Sequence, residues 1–205
     1  MVRHGLAGPE AASTLLADGG PDAVTLRAVG AAAGVSRTAP YRHFEDKDDL
    51  LSAVAADTLV FMAEEMRRGA ADRTETGHTG TGHTGTGHTG TGPLYGACLG
   101  YVQAATERPA HYLLVFGDVP IGNPSQALLD AADGCVQLLY ELITQAQRDG
   151  TMIAGDVRDI AALLWASLHG LVDLTLTGHL REPRMVDGAE STPRLLALAL
   201  HNLAP

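Results

Sequence analysis

Ser36-Arg37-Thr38-Ala39-Pro40-Tyr41-Arg42-His43 gathers hydroxyls, guanidinium groups, a phenol and an imidazole into one short run. Such groups suit hydrogen bonds to phosphate oxygens and to base edges. From Ser36 to Lys47 three cations (Arg37, Arg42 and Lys47) stand against two anions (Glu45 and Asp46), with His43 in addition. The whole chain carries a formal net charge of -10, which by itself argues against a nucleic-acid partner, because phosphate contacts need local cations. The small local excess on one face is compatible with DNA binding by an acidic protein whose remaining acid lies mostly downstream.

The elements that must carry this run are helical. Ala12, Leu15 and Leu16 stripe a first helix over about 9–18, and Gly19-Gly20-Pro21 ends it. Thr25 is a good N-cap for a second helix, 26–33, and Gly34 suits the left-handed residue that closes it. Ser36 caps a third, about 37–43. Asp46 caps a fourth, with Asp48 and Asp49 favouring the positive dipole end, running to about Arg68. Ala32-Ala33-Gly34 supplies the small residues of a close crossing, and Val35 supplies an apolar residue in the turn. This is the plan of a helix-turn-helix, whose second helix enters a major groove about 12 Å wide. Lys47 near a helix N-terminus can grip a phosphate. Spacing alone also allows a plain helical hairpin in a bundle. Further helices are predicted over about 93–107, 109–117, 124–149, 156–178 and 192–203. Gly150 fits a C′ position, Asp156 an N-cap, and Thr192-Pro193 an N-cap followed by an N1 proline. The expectation is an all-α protein of about nine helices. It divides into a helix-turn-helix domain (1–52), a connecting helix (53–75), a low-complexity linker (76–92) and a helical regulatory and dimerisation domain (93–205).

The stretch from Val24 to Leu51 resembles the N-terminal domain of the TetR (tetracycline-repressor) family. Gly34-Val35-Ser36, Tyr41-Arg42-His43-Phe44 and Asp46-Lys47 followed by Leu50-Leu51 stand in that family's order and spacing. The resemblance implies that Arg37, Thr38, Ala39 and Tyr41 face base edges and that Arg27 can add a contact from the second helix. It implies that Thr25, Tyr41, His43 and Lys47 meet phosphates. Val35, Phe44, Leu50 and Leu51 read as core. Pro40 departs from good helix chemistry, and Gly30 costs about 1 kcal/mol relative to Ala in a helix interior, with only close packing to justify it.

Downstream, Pro109-Ala110-His111-Tyr112-Leu113-Leu114-Val115-Phe116-Gly117 and Trp165-Ala166-Ser167-Leu168-His169-Gly170-Leu171 resemble the branch of that family with a Trp-His-Gly C-terminal domain. That branch implies a helical domain that binds a small molecule and dimerises. Trp165 and His169 lie four residues apart on one helix, and Gly170 permits a close crossing. With Tyr101, Tyr112, Phe116 and Tyr140 they are candidate walls of an effector pocket. Ordinary core packing remains the alternative for each. Helices 156–178 and 192–203 carry more leucine than one internal face needs: Leu163, Leu164, Leu171, Leu174, Leu195, Leu196, Leu200 and Leu203. A four-helix interface between two copies would bury that excess and let the pair read a palindromic operator, and a purely internal core is the other account. The chain then reads as a repressor released from DNA by a small molecule.

Thr-Gly-His-Thr-Gly repeats from Thr76 to Gly90, followed by Thr91-Gly92. His78, His83 and His88 invite a metal-responsive reading, since imidazole binds zinc, nickel or copper. Five-residue spacing sets successive histidines about 140° apart on a helix, and the glycines disfavour a helix, so a low-complexity linker fits better. No metal or cofactor is expected. Neither a nucleophile elbow nor a P-loop nor a Rossmann glycine pattern is present, and no enzyme is expected. A ligand-independent architectural DNA binder is a further reading. Apolar runs are interrupted short of ~20 residues, so no membrane span is expected, and without an apolar leader the chain is placed in the cytoplasm. Cys98 and Cys135 have no metal-type spacing and read as small core residues.

Overall fold

A computed structural model describes residues 7–75, 92–118, 121–181 and 191–205. Among them are eight α-helices, two 3₁₀ turns and no strand. The helices are α1 (Ala7–Ala23), α2 (Leu26–Ala32), α3 (Lys47–Glu75), α4 (Gly92–Glu107), α5 (Pro109–Phe116), α6 (Gln126–Arg148), α7 (Val157–Leu176) and α8 (Ser191–His201). The chain forms two compact units. Met1–Phe61 and Arg108–Gly134 make the first, and Met62–Glu107 and Cys135–Pro205 the second.

In the first unit the local signals act as their chemistry requires. Thr25 Oγ1 accepts the N–H of Ala28 at 3.1 Å and so starts α2. Gly34 takes φ 66°, a region that a Cβ disfavours, and its N–H bonds Ala31 O. Asp46 Oδ1 accepts the N–H of Asp49 at 2.9 Å, while Asp49 Oδ2 reaches back to the N–H of Glu45 at 3.2 Å. The two carboxylates thus close the start of α3 reciprocally. Gly19-Gly20-Pro21 breaks the first helical run as expected, and a short second run follows it within α1. Gly20 is non-helical (φ 69°, ψ -172°), and Pro21, suited to a first turn, begins a last short turn of α1.

The segment 37–43 is not the α-helix that its pattern predicts. A 3₁₀ turn covers Pro40–Arg42, with N–H bonds three residues back from Ala39 to Ser36, Arg42 to Ala39 and His43 to Pro40. Pro40 has no N–H to give to Ser36 O, and its ring would clash with that carbonyl in an α-helix. Pro40 is buried against α2, where a Cβ added at Gly30 would meet its Cγ at 3.2 Å. The close crossing therefore uses Gly30, which explains that glycine. Ala31, Ala32 and Gly34 are exposed. Val35, expected in the core, is 44% exposed, because Pro40 fills the space beneath α2 in its place. Leu50 and Leu51 are buried as expected, and Phe44 is half-buried.

The second unit holds the rest of α3, all of α4, most of α6, and α7 and α8. Gly69 and Gly96 bring the backbones of α3 and α4 together, and Gly100 does the same against Glu65. Ile160, Ala161, Leu164, Leu168 and Val172 form the buried side of α7, which packs on α4 and α8. Asp156 accepts the N–H of Arg158 at 2.7 Å, and Gly150 takes φ 68° after α6. Helix α8 begins at Ser191, so Thr192 and Pro193 lie within its first turn. Cys98 and Cys135 are buried, and burial pushes the Cys98 thiol up to about 12. The repeat histidines His78, His83 and His88 lie outside the described residues.

Candidate DNA interface and aromatic cluster

The candidate DNA-facing edge is built on the Gly30–Pro40 contact. Burying Pro40 leaves its neighbours outward: Arg37, Thr38, Arg42 and His43 are exposed, Tyr41 is 60% exposed, and Ala39 is half-buried. Ser36 Oγ and Thr38 Oγ1 lie 3.3 Å apart. Arg27 and Thr25 are exposed at the start of α2. The Thr25 oxygen is occupied by its cap, which leaves its proton to give. Lys47, the first residue of α3, lies 3.7 Å from the exposed carboxylate of Asp22. Since Asp46 already takes the N–H of Asp49, a phosphate here would rely mainly on the Lys47 ammonium, in competition with Asp22. All eight residues expected to touch DNA lie within the first unit.

In the second unit three predicted side chains meet. The Tyr101 hydroxyl and His169 Nε2 are 2.9 Å apart. Trp165 stacks on His169, with ring centroids 4.7 Å apart and planes 28° apart, and its centroid is 6.4 Å from that of Tyr101. Tyr101 is buried; Trp165, His169 and Tyr140 are half-buried. Tyr112 and Phe116 pair with each other in the first unit, centroids 5.1 Å apart.

Comparison with known families then decides the identity. Residues 10–54 match the family described as bacterial regulatory proteins, tetR family, and residues 94–199 match the tetracyclin repressor-like C-terminal domain. The chain belongs to the TetR family. It is a DNA-binding transcriptional regulator of that family. A protein of unknown function from Rhodococcus sp. RHA1 has the same fold (TM-score 0.76, 24% identity, 99% of this chain and 98% of that one). A putative tetR-family regulator from Shewanella sp. PV-4 aligns with TM-score 0.64 and 15% identity over 97% of each chain. The regulator FadR from Bacillus subtilis, solved in complex with stearoyl-CoA, aligns with TM-score 0.63 and 18% identity over 95% of this chain and 97% of that one. No curated protein sequence matches the chain.

Burial holds His169 of this regulator below the usual imidazole range, so it is neutral at pH 7. Protonating it puts an imidazolium on the face of the single tryptophan, which quenches indole emission. Trp165 fluorescence is therefore expected to fall with a midpoint below pH 6.5, and His169→Gln is expected to abolish the step. A wild-type midpoint above 6.5 would contradict the partly desolvated, neutral histidine. Its linkage has a definite sign. A lowered folded value means that the unfolded chain binds the proton first, so this stabilisation is full above about pH 6.5 and is lost as pH falls towards the folded value.

Several polar contacts were not singled out by the sequence. His111 is buried on α5 with its Nε2 2.6 Å from Ser13 Oγ on α1. Burial, and secondarily the charge of Arg108, holds His111 below its ordinary value. The Arg108 guanidinium sits 3.8 Å over the Phe61 ring. Ser52, fully buried on α3, donates to Ser125 Oγ at 2.9 Å and accepts the Ser125 N–H at 2.7 Å. Only Ser125, a hydroxyl before an apolar-periodic helix, left a local signal, and its oxygen accepts the N–H of Leu128.

By length and composition α7 could cross a membrane, although it carries Asp159 and Asp173. Its outward side is apolar: Leu163 is 54% and Leu174 37% exposed, with exposed Ala166 and Gly170 between them. On α8, Leu198 is 37% exposed. Of the leucines expected in an interface, Leu164, Leu196 and Leu203 are buried within the unit, and Leu171, Leu195 and Leu200 are half-buried.

Proposed function

We propose that this regulator acts in the cytoplasm as a homodimeric repressor, binding a palindromic operator and released from it by a small molecule. The observation that carries the reading is the exposed edge Arg37, Thr38, Tyr41, Arg42 and His43, held outward by the buried Pro40 against Gly30. Arg37, Thr38, Ala39 and Tyr41 read base edges, with Arg27 in support. Thr25, Tyr41, His43 and Lys47 fix the register on phosphates. The reading head is residues 1–52, joined by 53–75 and the 76–92 linker to a regulatory domain, 93–205, of the Trp-His-Gly branch.

The exposed stripe Leu163-Ala166-Gly170-Leu174, with Leu198 on α8, supports a two-fold interface between copies. A Cβ at Gly170 would meet nothing within 4 Å in one subunit, which leaves room for a partner helix. Tyr101, Trp165 and His169 supply one wall of the effector site, with Tyr140 of the same unit as a further candidate; Tyr112 and Phe116 belong to the first unit and are not counted in that wall. An uncharged wall with one Tyr–His polar pair suits an effector with an apolar or aromatic body. Stearoyl-CoA on a protein of this fold is consistent with that character. Release follows if the effector binds the DNA-incompetent conformation better.

Selection of bound DNA from a random pool tests the reading. A short palindrome is expected. Even, sequence-blind recovery would favour an architectural binder, and recovery that depends on added zinc or nickel would favour metal sensing through the repeat. On the selected site Arg37→Ala should weaken binding by roughly 1–3 kcal/mol per half-site if the guanidinium pairs with a guanine. An unchanged sequence preference would remove Arg37 from the reading set.

A further inference from the structure

The family description of the reading head ends at residue 54, yet the compact unit that contains it also takes in Arg108–Gly134. Two part-buried polar contacts fasten these later residues to the head. Ser52 and Ser125 exchange hydrogen bonds between α3 and the start of α6. Ser13 and His111 pair between α1 and α5, 98 residues apart in sequence. The second contact lies on a direct line to the reading edge. Helix α1 packs on α5 and also on Phe44, where a Cβ added at Gly8 would meet the ring at 3.3 Å. Phe44 immediately follows Tyr41-Arg42-His43. Helix α5 is itself held by Arg108 over Phe61.

We propose that the Ser13–His111 hydrogen bond makes His111 a positioning residue for DNA recognition: it fixes α1 on α5 and so sets how the reading edge is held. Apolar helix faces tolerate small slides, since dispersion is non-directional. A short bond between a half-buried hydroxyl and a buried imidazole does not, because misalignment orphans the desolvated imidazole. The α1–α5 contact therefore has two discrete arrangements, made or unmade. Arg108 and Pro109 open α5 directly after α4, which carries Tyr101, so the pinned helix is also the next element along the chain from the aromatic cluster.

This proposal rests on the dimeric DNA-binding reading, and its test separates the two. The full-length protein would be assayed on its selected palindrome and on the same palindrome with two base pairs inserted between half-sites. Wild type should prefer the native spacing. In Ser13→Ala and His111→Leu that preference is expected to drop by about five-fold or more, as the head becomes freer on α5. His111→Gln places an amide where Nε2 sits and should restore it. Thermal melts run alongside, and Ser13→Ala, which removes one hydroxyl, keeps the test open if His111→Leu folds poorly. Lower melting with an unchanged spacing preference overturns the proposal, because a merely structural bond predicts that pattern. Failure of wild type to select any palindrome overturns the reading of a dimer on a palindromic operator and is seen in the wild-type arm alone.

Discussion

Gly96→Ala is expected to lower the melting temperature by roughly 6–12 °C, the scale of about 3 kcal/mol in a chain of this length. At this crossing α3 and α4 meet backbone to backbone. A Cβ at Gly96 would sit 2.7 Å from the Gly69 carbonyl carbon and from Arg73 Cγ, and closer still to the Gly69 oxygen. The reciprocal substitution Gly69→Ala meets the Gly96 carbonyl carbon at 2.8 Å. Arg73 Cγ can swing aside, but the carbonyl cannot move without displacing its helix, so α3 and α4 must part and open the core around Met66, Ala97 and Cys98. Gly134→Ala is the control. Nothing lies within 4 Å of its added Cβ, its φ is not positive, and a helix-interior glycine there should gain about 0.5–1 kcal/mol on becoming alanine. Differential scanning calorimetry of the three variants checks the signs. Equal melting temperatures for Gly96→Ala and wild type would show that the crossing is looser than its geometry implies.

The largest functional effect is expected from Leu163→Glu combined with Leu174→Glu. Both side chains are exposed on α7, so the substitutions should leave the fold of each subunit intact. In a two-fold interface each change occurs twice, and each carboxylate must be desolvated against apolar surface. The protein should sediment as a monomer. Operator affinity should then fall by about 10²-fold or more, because the second half-site is no longer bound intramolecularly. Leu129→Glu alters a leucine of similar exposure (46%) on α6, not part of the stripe, and should leave both sedimentation and affinity unchanged. A persistent dimer in the double variant would move the interface elsewhere and return the leucine excess of α7 to another cause.

Much of this architecture was legible in the chain. Thr25, Asp46 and Asp156 cap helices, and Gly34 and Gly150 close them, as their types require, because a cap is made with an N–H or carbonyl only a few residues away. The order Gly34-Val35-Ser36, Tyr41-Arg42-His43-Phe44 and Asp46-Lys47 was enough to point to the family. Tertiary packing decided the rest. Pro40 is a local signal against a helix, but whether it bends one or gives a 3₁₀ turn depends on its seat against Gly30, ten residues away. Val35 was displaced outward by the same contact. Leucines of α7 and α8 look alike in sequence, and only the positions of α4 and α8 separate buried Leu164 from exposed Leu163. Ser13 belongs to no motif, and the Pro109–Gly117 stretch that holds His111 does not reveal its partner, because a hydrogen bond across 98 residues exists only once both helices are in place. Hydrogen bonds between near neighbours are encoded by residue type, whereas burial and distant polar pairs belong to the assembled core.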